Sequence, residues 1–278
     1  MKIILLFNII IFLLVISIIY FIYIIFNNKF IKNNNLENFK ENNIKFFKKQ
    51  ETLDFLYNDQ DNYIKNLSIF DLYARKVKNS NIYKNNCMKC TTDFNKNQID
   101  IITEASKEAD KYLNNYNKLL NGKDIAKIKW NFALTQNNNN YEYEDGLPHT
   151  RKNIIFLSDK IIPNTISHNF INTLIHEKIH VYQRYNPKIL ENVINKMGFK
   201  KTSFKNIKQR SNPDLNNLIY INKNNQKLSC LYKNNKPSSI NDVICLENNN
   251  LLEHPYELLA YNIANEFNHS ELQKYIKL

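Results

Sequence analysis

Residues 176–180 read His-Glu-Lys-Ile-His and directly follow the apolar stretch Phe170 to Ile175. On a helix, residues four apart lie about one turn apart, so His176 and His180 project from the same face. Two imidazoles so placed can hold one Zn²⁺ ion, and Glu177, beside the first, can reach a metal-bound water as a general base. In a chain of this composition the pattern arises by chance on the order of 0.01 times. The bland alternative is a helix whose two histidines face solvent or a polar cluster.

The N-terminus carries the second signal. Residues 3–26 are apolar apart from Asn8 and Ser17. A run of about 24 residues is long enough to span a hydrocarbon core of about 30 Å as a helix. It ends Tyr23-Ile24-Ile25-Phe26-Asn27-Asn28, without the small residues of a cleavage site. The expectation is an uncleaved, single-pass membrane anchor over residues 3–26, with one large domain after it. The side of the membrane stays open. Lys29, Lys32, Lys40 and Lys45 after the run favour a cytosolic domain. The even cysteine count, Cys87 and Cys90 in a CxxC and Cys230 with Cys245, suits two disulfides in an oxidising compartment, and four free thiols fit the spacing equally well.

The net charge of +12 raises the question of nucleic acid or anionic lipid. The lysines are dispersed, no dense basic block occurs and no nucleic-acid module appears, so nucleic-acid binding is not expected. The asparagine runs at 33–35, 137–140 and 248–250 read as solvated loops.

The spacing of apolar residues arranges the rest. Residues 27–43 form a polar stalk. Residues 44–67 and 68–78 carry apolar residues at helical spacing, and 98–120 is the strongest helix of this half, with Ile102, Ala105 and Ala109 on its stripe. Ile128, Trp130, Phe132 and Leu134 alternate as a strand, and 153–157 is a short apolar strand. Pro163 precedes the long helix of the HExxH pattern, with Asn164 or Thr165 as N-cap. Pro187 to Met197 is a helix ended by Gly198, three strands fall at 218–222, 227–232 and 240–246, and Pro255 opens a last pair of helices.

This order of elements around an HExxH helix resembles the zincin metallopeptidases, over roughly residues 125–270. The resemblance implies an α+β fold, mainly helical, with a small twisted sheet packed on the HExxH helix and an edge strand along the substrate cleft, for which residues 153–157 are the candidate. The expected organisation is an anchor at 1–27, a stalk at 28–43 and a zincin-like metallopeptidase domain at 44–278. Val181 to Tyr185 supply neither the glycine nor the third histidine of the metzincin branch. The gluzincin branch takes a glutamate from a later helix, and Glu257 with Ala260 matches its E-x-x-A form, although Tyr261 stands where the longer form has an aspartate. The resemblance therefore points to His176, His180 and Glu257 as zinc ligands, with His254 as the rival to Glu257. A partner for the His176 ring is expected, with Asp242, Glu247 and Glu266 as candidates. His149, Arg151, Tyr182, Tyr256 and Tyr261 are candidate donors to an oxyanion. The turn Arg210 to Asp214 is a candidate border of the cleft. The pieces around His149, His176 and Glu257 also resemble predicted zinc peptidases of large DNA viruses. The implied chemistry is zinc-assisted hydrolysis of a peptide or protein substrate near the membrane. The alternative is a zincin-fold binding or structural protein without turnover.

Overall fold

The computed structural model describes residues 13–25, 43–202, 206–215, 218–245 and 253–276. The chain divides into two units, Met1–Asn42 and Asn43–Leu278. The described part of the first is an exposed helix, α1, at residues 13–25. At 1.5 Å per residue it rises about 20 Å, short of the about 30 Å of a hydrocarbon core. No helix among the described residues is long and apolar enough to cross a membrane. The anchor expected over residues 3–26 is corrected accordingly, and with it the membrane localisation and membrane contact that rested on it. Residues 3–12 and 26, and the stalk at 28–42, lie outside the described residues.

The second unit is α+β. Its central sheet has the strands β1 (Ile44–Phe46), β2 (Thr91–Thr92), β3 (Trp130–Thr135), β4 (His149–Arg151) and β5 (Ile154–Ser158). Their order is β1-β3-β5-β4, with β2 also on β3. β1 and β5 run parallel to β3, and β4 returns antiparallel to β5. Helices α2 (Lys49–Asn58), α3 (Ile69–Ala74) and α4 (Ser80–Lys89) precede the sheet's middle. Phe55, Leu56, Tyr83 and Cys87 from α2 and α4 pack with Ala133, Ile154 and Phe156 on one face of the sheet. Strand alternation turns Trp130, Phe132 and Leu134 to the other face. There α5 (Lys96–Asn115) is tied to β3 by Trp130 Nε1 donating to Asp110 Oδ2 at 3.0 Å. Asp110 also pairs with Lys178 of α7 (His168–Tyr185).

After the short α6 (Gly122–Ala126), α7 is followed by α8 (Pro187–Lys196), then by a small sheet of β6 (Lys200–Thr202), β7 (Ile219–Ile221) and β8 (Lys227–Leu228). A ribbon of β9 (Cys230–Tyr232) and β10 (Val243–Cys245) precedes the final helix α9 (Pro255–Ile276), which packs on α7.

Several expectations are corrected. The 44–67 segment begins as β1 rather than a helix, because three residues beside β3 gain a strand partner that local periodicity does not register. α7 is capped by Ser167, whose hydroxyl accepts the Phe170 N–H at 3.3 Å, not by Asn164 or Thr165. The last helix is continuous rather than a pair. Residues 154–158 are not an edge: β5 lies between β3 and β4 with all five residues buried. The outer strand is β4, and its Thr150 is already engaged, the amide by Asp214 and the carbonyl by Arg184 at 3.0 Å. Cys230 and Cys245 face each other across β9 and β10 and form a disulfide, while Cys87 and Cys90 are free and buried, so neither two bridges nor four thiols is the outcome.

Candidate metal centre

The site forms where α7 meets α9. Small side chains permit the approach: Ala260 and Ala264 are fully buried on α9, and Asn172 of α7 donates to the Ala264 carbonyl at 2.6 Å. His176 and His180 turn toward α9, and Glu257, in the first turn of α9, turns toward them. The Nε2 atoms of the two histidines are 3.0 Å apart, and Glu257 Oε2 lies 3.3 Å from one and 3.5 Å from the other. Three ligand atoms bonded at about 2.0–2.1 Å to one tetrahedral zinc lie about 3.3 Å from each other. The observed triangle has that size.

Hydrogen bonds fix which atoms face the centre. Gln183 Nε2 donates to the Tyr256 carbonyl at 3.0 Å, which leaves Gln183 Oε1 facing His180 Nδ1 at 2.9 Å. An amide oxygen only accepts, so His180 Nδ1 carries a proton and Nε2 is the nitrogen left to face the centre. Asn212 Nδ2 donates to Glu257 Oε1 at 3.0 Å, leaving Oε2 for the two imidazoles. His176 Nδ1 is buried and has no partner among the described residues. Asp242 accepts from Ser238 and Glu266 pairs with Lys118, so neither serves it, and Glu247 lies outside the described residues.

The electrostatics tie the glutamate and the histidines together. Burial opposes ionisation of Glu257, but His180 and His176 outweigh it and hold its carboxyl well below the usual range. Burial also opposes charge on His180, and Glu257 outweighs that, lifting it to about 9. Glu177 is different. Burial, reinforced by the Asp214 carboxylate, pushes its pKa well above the ordinary value. Its Oε2 accepts from Thr150 Oγ1 at 2.9 Å, which fixes the side chain in the wall of a cleft of about 300 Å³.

Both ring nitrogens of His254 are engaged away from the three converging atoms. Its Nδ1 accepts the Tyr256 N–H at 3.1 Å, capping α9, and its Nε2 donates to the Leu218 carbonyl at 3.1 Å. Burial lowers its pKa to about 4. Arg151 is also removed from the chemistry: fully buried, it pairs with Asp59 at 2.6 Å and with Asp61, and donates to Tyr143 at 2.9 Å. His149 stacks on Phe156 with ring centroids 5.2 Å apart and is not part of the cluster of His176, His180 and Glu257. Tyr182 and Tyr256 are buried and do not line the cleft, whereas Tyr261 does, its ring 4.4 Å from that of His176. The Arg210 to Asp214 turn borders the cleft, as expected. The roles of Gln183, Thr150 and Asn212 carry no motif signature. Gln183 alone offered a local hint, lying one helical turn beyond His180.

No family model matches the chain, and neither a curated protein nor a solved structure is detectably similar to it.

Proposed function

We propose that this chain is a zinc-dependent hydrolase of peptide bonds, with His176, His180 and Glu257 as ligands and Glu177 as general base. The observation that carries the reading is the triangle of His176 Nε2, His180 Nε2 and Glu257 Oε2, each within 3.5 Å of the others. Two histidines and one glutamate are the donor set of a catalytic zinc with an open position, and the tautomer set on His180 by Gln183 suits it. Zinc bound there supplies a Lewis acid that polarises a carbonyl and acidifies a water.

The chain's own residues do the rest. Glu177, with one oxygen held by Thr150, takes a proton from the attacking water. It then delivers that proton to the leaving amine. Tyr261, beside His176 in the cleft, is the donor for charge developing on the carbonyl oxygen. Asn212 keeps Glu257 from rotating away.

Glu177→Gln tests the reading. It keeps the side chain's size and removes its basicity. Peptide-library cleavage by the zinc-loaded full chain should fall by ~10² to 10⁴ in the variant, with metal content unchanged. Equal cleavage by both proteins removes Glu177 from the mechanism. Absence of cleavage by the wild type, with equal peptide binding by both, leaves a binding protein.

A further inference from the structure

The acidic, basic and imidazole side chains in the walls of the cleft are His176, Glu177, Arg210, Asp214, Glu253 and Glu257. All but one are accounted for. Arg210 and Glu253 pair with each other, Nε donating to Oε1 at 2.9 Å and Nη2 to Oε2 at 2.5 Å. Glu257 turns Oε2 to His176 and His180. Glu177, the proposed base, accepts from Thr150 Oγ1 at 2.9 Å. Asp214 has no part in the proposed chemistry.

One oxygen of Asp214, Oδ1, accepts the Thr150 amide. The other, Oδ2, accepts nothing among the described residues. The residue is half-buried, and Oδ2 is not one of the buried polar atoms that lack a partner, so it keeps accessible surface. Asp214 stands in the wall of the cleft and of an adjoining cavity that shares Leu147 and Pro148 with it, and that surface opens on the joined space. No cation neutralises the carboxylate. Arg184, on the same turn, directs Nη2 to the carbonyls of Thr150 and Pro213 and forms no ion pair with Asp214. A partly desolvated carboxylate without a cation is incomplete, and a cationic donor completes it best.

Position says which cation. Thr150 holds both carboxylates, Glu177 through its hydroxyl and Asp214 through its amide. The free oxygen of Asp214 is thus within one residue's reach of the general base, and a substrate cation bound there is as close to the bond under attack. The α-ammonium of a peptide's first residue is separated from that residue's own carbonyl by a single carbon, which fits. A lysine ammonium ends a flexible four-carbon stem and reaches past.

We infer that Asp214 receives the α-ammonium group of the substrate, which makes the proposed peptidase an aminopeptidase that releases residues singly from a free N-terminus. The inference rests on the hydrolase reading, and its test separates the two. Peptides identical except for a free or an acetylated N-terminus are incubated with the zinc-loaded full chain, and the products are identified by mass. Acetylation removes the charge and leaves a single N–H. The wild type should release the first residue of the free peptide, with kcat/KM at least ~10-fold above that for any bond of the acetylated one.

Asp214→Asn keeps an acceptor for the Thr150 amide but removes the charge, and should bring the ratio of free to acetylated substrate to within ~3-fold at unchanged zinc content. Asp214→Ser, useful if the first variant does not fold, carries the same expectation. The ratio is the readout, because a disturbed Glu177 would slow both substrates alike. The assignment is overturned if free and acetylated peptides are cut alike, if internal bonds are preferred, or if the preference survives both substitutions. Preferred cleavage of acetylated peptides beside an internal lysine also overturns it, because the cation site then serves a side chain. If no peptide is cleaved, the hydrolase reading fails alone. Binding of the free and acetylated peptides to zinc-loaded Glu177→Gln then decides the role of Asp214, and equal affinities overturn it.

Discussion

Three buried histidines of this chain meet opposite fates, decided by what each nitrogen touches. His180 is lifted to about 9 by Glu257, whereas burial holds His149 and His254 down to about 4 and keeps them neutral. A histidine whose folded pKa lies below its unfolded value of about 6.5 binds its proton first in the unfolded chain. Its contribution to stability is therefore fully present above about pH 6.5 and is lost as pH falls toward 4. Denaturant titrations with chelator present, which removes metal linkage, should show stability falling between pH 6.5 and 4.5. Each of the two histidines should account for about 2 kcal/mol of that fall. His149→Phe should flatten the profile by its own share. An identical slope in wild type and variant would show that His149 does not titrate in this window.

At the scale of elements, α7 and α9 make the site, and β4 with the 210–214 turn closes it. β4 is fastened from behind by Arg151, whose charge lies buried against Asp59 and Asp61 of the loop after α2. Arg151→Leu would leave two carboxylates beside an apolar side chain and should cost about 3–5 kcal/mol. Urea denaturation of the full chain measures it, and a loss below about 1 kcal/mol would show that the pairs contribute little more than surface ones.

The elements also show what local pattern can encode. The HExxH face was legible because both histidines sit on one helix, where spacing alone fixes direction. Pro255 likewise marked the start of α9, and with it the place of Glu257. Strand order was not legible, since it depends on pairing between distant segments. Even so, the unbroken apolar run Ile154 to Leu157 carries the mark of a strand buried on both faces, which argues for an interior position. β1 was hidden because a three-residue strand has no period of its own.

Across the whole second unit, the site is a meeting of segments far apart in sequence. Asp71 in α3 accepts both the amide and the hydroxyl of Ser211, and so holds the turn from which Asn212 reaches Glu257 and Asp214 reaches Thr150. Thr150 in turn holds Glu177. None of these links could be read from spacing, because hydrogen bonds between residues 27 to 140 positions apart leave no periodic trace. The motif located two of the three converging atoms, and the folded chain supplies the third and what orients them. Zinc stoichiometry of the purified full chain, by elemental analysis after dialysis, addresses this arrangement most directly. One zinc per chain is expected in the wild type and in Glu177→Gln, and His180→Ala or Glu257→Ala should lose it, while His254→Ala should keep it if folded. A wild type without zinc, or a His180→Ala protein that retains it, would contradict the assignment of the site.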